Sequence, residues 1–206
     1  MSDPARLMRF ILELRQAGVT DARVLAALER TPREDYAPAH LIDLAHDDIS
    51  LPLAEGQALT KPSVVGRVAA ALDAQPGDHV LEIGTGSGYQ AAVLSHLAHT
   101  VFTIDSRRDL IADARARFGR ARLMRVFAHV GDGAEGWPDD APYDRIVINA
   151  AVEAPPPALL AQLKPGGALV APIGDADGQR IIRFRNEERA DFGPVKFAPL
   201  ERAPEP

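Results

Sequence analysis

Apolar and polar positions repeat with two different periods along this chain. From His79 onward, short continuous apolar runs, typical of strands buried on both faces, alternate with stretches whose apolar residues recur at helical spacing. The alternation predicts βαβ units and therefore an α/β fold, with a doubly wound, mostly parallel sheet between helices. Predicted strands cover residues 79–83, 101–104, 126–130, 143–149, 168–173, 179–185 and 195–199, and predicted helices cover residues 91–97 and 110–118.

The residues before this alternation predict a helical N-terminal elaboration of the sheet. Apolar residues at helical spacing indicate one helix around Phe10 and a second around Leu25, with Thr20 as the N-cap of the second. Residues 30–57 contain several prolines and mixed polarity, which indicates irregular structure of a length that suggests function. Pro62 suits the first turn of a third helix.

A glycine-rich turn follows the first strand of the alternating region. Gly84, Gly86 and Gly88 let the chain turn sharply and bring backbone N–H groups against a ligand, because no Cβ atom intervenes. Tyr89 stands where a dinucleotide fingerprint would have a third glycine, which disfavours a nicotinamide dehydrogenase. The loop therefore favours a nucleoside cofactor without a pyrophosphate.

Acidic residues close three successive apolar runs. Glu82 precedes the first glycine and can complement the ammonium of a methionyl group, and Asp105 is placed to accept hydrogen bonds from both ribose hydroxyls. Asp132 and Gly133 follow the next apolar run, where a carboxylate and a flexible backbone could bind the edge of an adenine ring. These residues together indicate S-adenosylmethionine. The predicted cofactor site comprises Glu82, Gly84, Thr85, Gly86, Ser87, Gly88, Asp105, Asp132 and Gly133.

Thr60 and Lys61 lie at the amino-terminal end of the third predicted helix, and two roles for this position are open. Unpaired N–H groups and the positive end of the helix dipole favour an anion, so a substrate carboxylate could bind here beside the cofactor. The alternative is that Thr60 is only a helix cap.

Composition narrows the function classes. The 206 residues carry a formal charge of -6, which argues against a nucleic-acid platform. There is no cysteine, so disulfides, thiolate nucleophiles and sulfur-bound metals are excluded. His96 and His99 lack a third ligand nearby in sequence, and we expect no metal site. Neither a leader nor a membrane span is evident, and we expect a cytoplasmic protein.

Beyond the glycine loop, several pieces of the chain resemble the protein-L-isoaspartate O-methyltransferase family over residues 31–200. The resemblance implies a Rossmann-like class I methyltransferase that uses S-adenosylmethionine to methylate the carboxylate of isoaspartyl residues in damaged proteins. The pieces are Thr31-Pro32-Arg33-Glu34, Gly56-Gln57, residues 80–90, Gly131-Asp132-Gly133, Tyr143-Asp144, Ala150-Ala151, Gln162-Leu163, Gly166-Gly167, Pro172-Ile173-Gly174, Gln179 and Phe197-Ala198-Pro199-Leu200.

The resemblance also implies roles for the segment before Pro62. Where the family usually reads Thr-Ile-Ser, this chain reads Ala58-Leu59-Thr60. Thr60 keeps a hydroxyl that can orient the acceptor and is the predicted catalytic residue, whereas Ala58 loses one. Gln57, Ala58, Leu59 and Thr60 are the predicted substrate-binding residues.

The departure at Ala58 leaves two alternatives to isoaspartyl methylation. One is a diverged methyltransferase with another carboxylate or a small molecule as acceptor, and the other is a non-catalytic protein that binds the cofactor or isoaspartyl groups. We expect a monomer with a single domain. Within it, residues 1–60 are the N-terminal helices and substrate loop, 61–200 the cofactor-binding core and 201–206 a tail.

Overall fold

The computed structural model describes residues 4–53 and 56–201. The helices are α1 (Pro4–Gln16), α2 (Ala22–Arg30), α3 (Pro62–Leu72), α4 (Tyr89–Leu94), α5 (Arg108–Arg120) and α6 (Pro157–Ala161). The strands are β1 (Leu51–Pro52), β2 (Ala58–Leu59), β3 (His79–Ile83), β4 (Thr100–Asp105), β5 (Val126–Val130), β6 (Tyr143–Ile148), β7 (Leu163–Gly174), β8 (Gln179–Arg185) and β9 (Glu188–Val195). In the two described ranges, no helix combines the length and the apolar character needed to cross a bilayer.

Seven strands form one sheet in the order β5-β4-β3-β6-β7-β8-β9. Strands β5, β4, β3, β6 and β7 run parallel to one another, whereas β8 is antiparallel to both β7 and β9. The strand order reverses at β3, because β4 lies on one side of it and β6 on the other. The predicted doubly wound α/β fold is confirmed, and such sheets bind ligands at this reversal point.

Alternation of side chains along β3 gives the sheet two hydrophobic faces. Val80 belongs to one core, which also contains side chains from α1 to α5, and Leu81 and Ile83 belong to the core on the other face. The N-terminal helices therefore share a core with the sheet. Glu82 lies between Leu81 and Ile83, so it points into the same core as Val80 and is fully buried there.

The cap of α2 differs from the predicted Thr20. The Asp21 carboxylate accepts hydrogen bonds from the N–H groups of Arg23 at 2.8 Å and Val24 at 3.3 Å, which makes Asp21 the N-cap. The two adjacent residues are both good caps, and the aspartate adds a negative charge that the positive helix end favours.

The C-terminal strands also correct the prediction. Strand β8 is confirmed, but the last strand is β9, an exposed edge strand whose many charged residues hide its apolar alternation. Val195 ends β9, and residues 196–199 instead cross the carboxyl ends of the parallel strands. There the N–H of Ala151 donates to the carbonyl of Ala198 at 2.7 Å, and the N–H of Leu200 donates to the carbonyl of Ala151 at 2.9 Å.

Gly66 tests the packing of the N-terminal helices on α3. A Cβ atom there would lie 2.7 Å from Cγ2 of Val19, a stiff side chain, whereas a Cβ on Gly77 would meet no atom within 4 Å. Overpacking lowers the stability of the folded protein by about 1–3 kcal/mol, and replacing a helical glycine with alanine raises it by about 1 kcal/mol. We therefore expect Gly66→Ala to lower the free energy of unfolding by up to about 2 kcal/mol, measured by urea titration.

Gly77→Ala is the matched control for this substitution. Its backbone conformation and free space suit alanine, so we expect a change within about 0.5 kcal/mol. Equal unfolding free energies for the two variants would contradict the tight contact between α3 and Val19.

Candidate active site

The glycine loop lies at the carboxyl ends of the central strands and joins β3 to α4. Gly84, Gly86 and Gly88 have φ angles of 89°, 51° and 87°, in the left-handed region that favours glycine. The N–H of Gly86 donates to Oδ2 of Asp105 at 3.0 Å, which ties the loop to the end of β4. A Cβ on Gly88 would lie 2.8 Å from Cε1 of Phe118, so α5 packs directly against the loop.

Two neighbouring spaces with shared lining residues lie at this edge of the sheet. We call them the strand-end cleft and the adjoining cavity, and the cavity has a volume of about 520 Å³. Gln57 and Asn149 line both spaces and therefore stand at their junction. The strand-end cleft is lined chiefly by Gly84, Gly86, Asp105, Gly133, Ala198 and Leu200, and the adjoining cavity by Gln57, Thr60, Lys61, Arg67, Asn149 and Lys196.

The structure brings most of the predicted cofactor residues to one wall. Those that line the strand-end cleft are Gly84, Thr85, Gly86, Ser87, Asp105 and Gly133. Glu82, Gly88 and Asp132 are not part of the wall. The Asp132 carboxylate accepts a hydrogen bond from the N–H of Ala134 at 2.8 Å and so stabilises its own turn. Gly133, rather than the Asp132 side chain, therefore borders the cleft.

Glu82 is buried behind the cleft, which corrects the expectation that its carboxylate faces an ammonium group. Its Oε2 accepts a hydrogen bond from the Thr103 hydroxyl at 2.6 Å, and its Oε1 accepts one from the Asn149 amide at 3.0 Å. The same amide donates to the carbonyl of Gly84 at 3.1 Å, and Oδ1 of Asn149 accepts from the Gln90 amide at 2.8 Å. Glu82 thus fixes Asn149 at the junction, and any effect on a ligand is indirect.

The predicted substrate segment forms one strand of a small hairpin. β1 and β2 pair in antiparallel fashion, and Gln57, Ala58 and Thr60 border the junction of the two spaces. Leu59 is only 2% exposed, and its side chain packs in the hydrophobic core. Leu59 therefore anchors the hairpin while the residues beside it face the cavity.

Arg33 holds this segment in place and was not among the predicted site residues. Its side chain is 2% exposed, and its guanidinium lies 6.0 Å from the centre of the Tyr89 ring. Its Nη atoms donate hydrogen bonds of 2.8–3.4 Å to the carbonyl oxygens of Ala45, Asp47, Ile49, Leu59 and Thr60. One buried cation thus organises the described residues of the segment before Pro62. The only sequence signal was its place in the quoted piece Thr31-Pro32-Arg33-Glu34.

An internal anion already occupies the amino-terminal end of α3. Oδ1 of Asp48 accepts a hydrogen bond from the N–H of Ser63 at 2.7 Å, and its Oδ2 lies 3.7 Å from Nζ of Lys61. Lys61, not Thr60, is the N-cap residue. The two interpretations of Thr60, as a helix-end anion site and as a cap, are therefore both replaced, because Asp48 satisfies the helix end.

The strand-end cleft fits a nucleoside cofactor. A Cβ on Gly84 would lie 3.3 Å from Cβ of Asn149, so this glycine keeps the wall open to close approach. Asp105 places a carboxylate at the end of β4, where ribose hydroxyls can donate to it. Tyr89 also borders the cleft, and its buried hydroxyl has no hydrogen-bond partner in residues 4–53 and 56–201. These residues could hold S-adenosylmethionine.

The reversed strand order, the glycine loop and the acid at the end of β4 define a class I methyltransferase with a Rossmann-like sheet. A family model for protein-L-isoaspartate(D-aspartate) O-methyltransferase (PCMT) matches residues 5–201. The chain belongs to this family.

Individual relatives agree with the family match. A protein-L-isoaspartate O-methyltransferase of Paracoccus denitrificans is 51% identical over 95% of this chain and 93% of its own length. A solved protein-L-isoaspartate O-methyltransferase superposes with a TM-score of 0.84 at 25% identity, over 95% of this chain and 66% of that one. A putative Plasmodium falciparum enzyme, solved with S-adenosyl-L-homocysteine, has a TM-score of 0.79 at 16% identity over 94% of this chain and 97% of that one, which shows the shared fold.

Burial of Glu82 predicts a pH-dependent stability. Desolvation raises the pKa of its carboxyl to about 8, against hydrogen bonds from Thr103 and Asn149 that favour the ionised form. Between the unfolded pKa near 4.5 and the folded value, the native state holds a proton that the unfolded state lacks. The stability that the protonated Glu82 carboxyl contributes is therefore fully present below about pH 4.5. As the pH rises, the free energy of unfolding falls by up to about 1.4 kcal/mol per pH unit.

Glu82→Gln removes this titration while keeping the side-chain shape. We expect the variant to become progressively more stable than the parent protein as the pH rises from about 5 to 8. Unfolding free energies from urea titrations at each pH test this. A constant difference between the two proteins across that range would show that Glu82 is ionised in the native state.

Asp105 should bind the cofactor through charge-assisted hydrogen bonds. Because each such bond contributes about 1.5–3 kcal/mol, we expect Asp105→Ala to weaken S-adenosylmethionine binding about 10- to 100-fold in calorimetry. Asp113→Ala is the control, since Asp113 is 70% exposed on α5 and borders neither the cleft nor the cavity. An unchanged affinity in the first variant would remove Asp105 from the cofactor site.

Proposed function

We propose that this protein transfers the methyl group of S-adenosylmethionine to the carboxylate of isoaspartyl residues in damaged peptides and proteins, as a repair enzyme. The observation that carries this proposal is that the strand-end cleft and the adjoining cavity share Gln57 and Asn149 as lining residues, so a donor and an acceptor would lie side by side. Membership of the family, and relatives named protein-L-isoaspartate O-methyltransferase, support the choice of acceptor.

Methyl transfer to a carboxylate needs no general base from the protein. A carboxylate with a pKa of about 4 is ionised at neutral pH and acts as the nucleophile without a general base. S-adenosylmethionine supplies the electrophile, a methyl group on a sulfonium. The chain must therefore align one carboxylate oxygen with that methyl group and exclude water from both.

We assign the ends of the cofactor by the residues that border each part of the cleft. Asp105 binds the ribose, Gly133 borders the adenine, and the loop from Gly84 to Gly88 receives the methionyl end. Glu82 positions Asn149 and touches no ligand. Thr85 and Ser87 belong to the same loop wall.

The acceptor side consists of the hairpin that Arg33 holds. Thr60 borders both spaces, so its hydroxyl can orient the acceptor carboxylate as the catalytic contact. Gln57 and the exposed Ala58 contact the peptide around it, and Leu59 contributes through its anchoring of the strand. The cytoplasmic location, the monomeric state and the single-domain division stay predictions.

The test is methyl transfer from labelled cofactor to an isoaspartyl peptide, with the matching aspartyl peptide as control. We expect transfer to the isoaspartyl peptide alone. Equal transfer to the two peptides would favour another acceptor, and tight cofactor binding without any transfer would favour a binding protein.

Thr60→Val and Thr60→Ser separate the hydroxyl of Thr60 from its shape. Valine keeps the branched shape but cannot hydrogen-bond to the carboxylate, so we expect kcat/KM to fall about ten-fold, mostly in kcat, because alignment is lost. Serine keeps the hydroxyl, and we expect it to retain activity within about three-fold. Comparable activity in the valine variant and the parent would exclude a catalytic role.

A further inference from the structure

The adjoining cavity is positively charged in a chain whose formal charge is -6. Lys61, Arg67 and Lys196 line it, and no acidic residue of the described chain does so. An acceptor carboxylate brings one negative charge to this cavity. The number of cations left unpaired by that carboxylate determines whether the cavity can bind a second anionic group.

The three cations differ in their partners. Lys61 is paired with Asp48 at 3.7 Å, and Arg67 donates to the carbonyl of Pro194 at 3.1 Å and has no ion pair with any residue that the structure describes. Lys196 is exposed, and within the described ranges it has neither an ion pair nor a hydrogen bond. Since Asp48 compensates one cation and the acceptor carboxylate one more, one positive charge is left.

The backbone that carries Lys196 is fixed on both sides. The Gln179 side chain makes two hydrogen bonds to the backbone of Phe197, accepting from its N–H at 2.7 Å and donating to its carbonyl at 3.1 Å. Arg67 holds Pro194 from the other side. Lys196 therefore extends from a rigid segment at the mouth of the cavity.

Lys196 also borders a second, mainly apolar groove beyond the cavity. That groove has a volume of about 560 Å³ and is lined by Glu153 and Asp175 as well as Lys196. The carboxylates of Glu153 and Asp175 would repel an anion there, whereas every charged residue of the described chain that lines the cavity is a cation. An acidic group of a bound peptide is therefore favoured on the cavity side of Lys196.

We propose that Lys196 is a specificity residue that selects isoaspartyl sites with an acidic side chain next to them in the peptide. This inference rests on the proposed function, because it concerns the peptide that carries the acceptor. Methyl transfer changes the charge of the acceptor carboxylate but not that of the flanking carboxylate, so contacts to the flanking group act in substrate and transition state alike. They should change KM and leave kcat unaltered.

The experiment compares isoaspartyl peptides that differ only by Glu or Gln beside the isoaspartyl residue, on either side. An exposed ion pair gives an affinity difference of about three-fold, so we expect KM to be about three-fold lower for the Glu peptide, on one side at least. The preference should vanish between about 0.01 M and 1 M salt, as the Debye length falls from about 30 to 3 Å.

Variants assign the preference to Lys196. We expect Lys196→Met to abolish the KM ratio and Lys196→Glu to invert it, while Arg9→Met, which removes an exposed charge from α1, leaves both the ratio and the activity unchanged. A ratio of one in the parent protein on both sides, or the same ratio in all three variants, would overturn the inference.

A binding measurement separates this inference from the proposed function. Calorimetric titration of the same peptides into the protein with S-adenosylhomocysteine gives the affinity ratio without turnover. Absence of methyl transfer to every peptide would refute the proposed function, and the calorimetric ratio would still support or overturn the role of Lys196.

Discussion

The site depends on a buried arginine that binds backbone carbonyl groups. Arg33 gathers five carbonyls around one guanidinium, those of Ala45, Asp47, Ile49, Leu59 and Thr60, and the described residues around them have little regular structure of their own. Leaving buried carbonyls and a buried cation without partners costs several kcal/mol, so the contacts of Arg33 restrict the segment to one arrangement. That arrangement presents Thr60 and Gln57 to the cleft at the sheet edge.

The other half of the site comes from the sheet itself. The reversal of strand order at β3 opens a space, the glycine loop lets a ligand approach the backbone, and the network of Glu82, Asn149 and Gln90 fixes the junction. The C-terminal segment closes the cleft through its hydrogen bonds with Ala151. Distant parts of the chain therefore meet where the methyl donor and acceptor would meet.

Local patterns predicted the sheet because buried parallel strands and amphipathic helices carry strong periodicity. They also predicted the glycine loop and Asp105, because these residues stand at the ends of such strands. The partners of buried polar groups have no local signal. The sequence placed Glu82 next to the loop but could not show that its side chain points into the core. Nor could it show that the Asp48 carboxylate binds the N–H of Ser63 at the start of α3 in place of a substrate. The burial of Arg33 depends on hydrogen bonds to residues up to 27 positions away and on the Tyr89 ring further along the chain, which no spacing rule contains.

A crystal structure with S-adenosylhomocysteine and an isoaspartyl peptide would show where the methyl donor and the acceptor bind. The account predicts the spent cofactor in the strand-end cleft with its ribose on Asp105, and the acceptor carboxylate in the adjoining cavity within hydrogen-bond distance of the Thr60 hydroxyl. A cofactor bound elsewhere, or an acceptor carboxylate remote from Thr60, would contradict it.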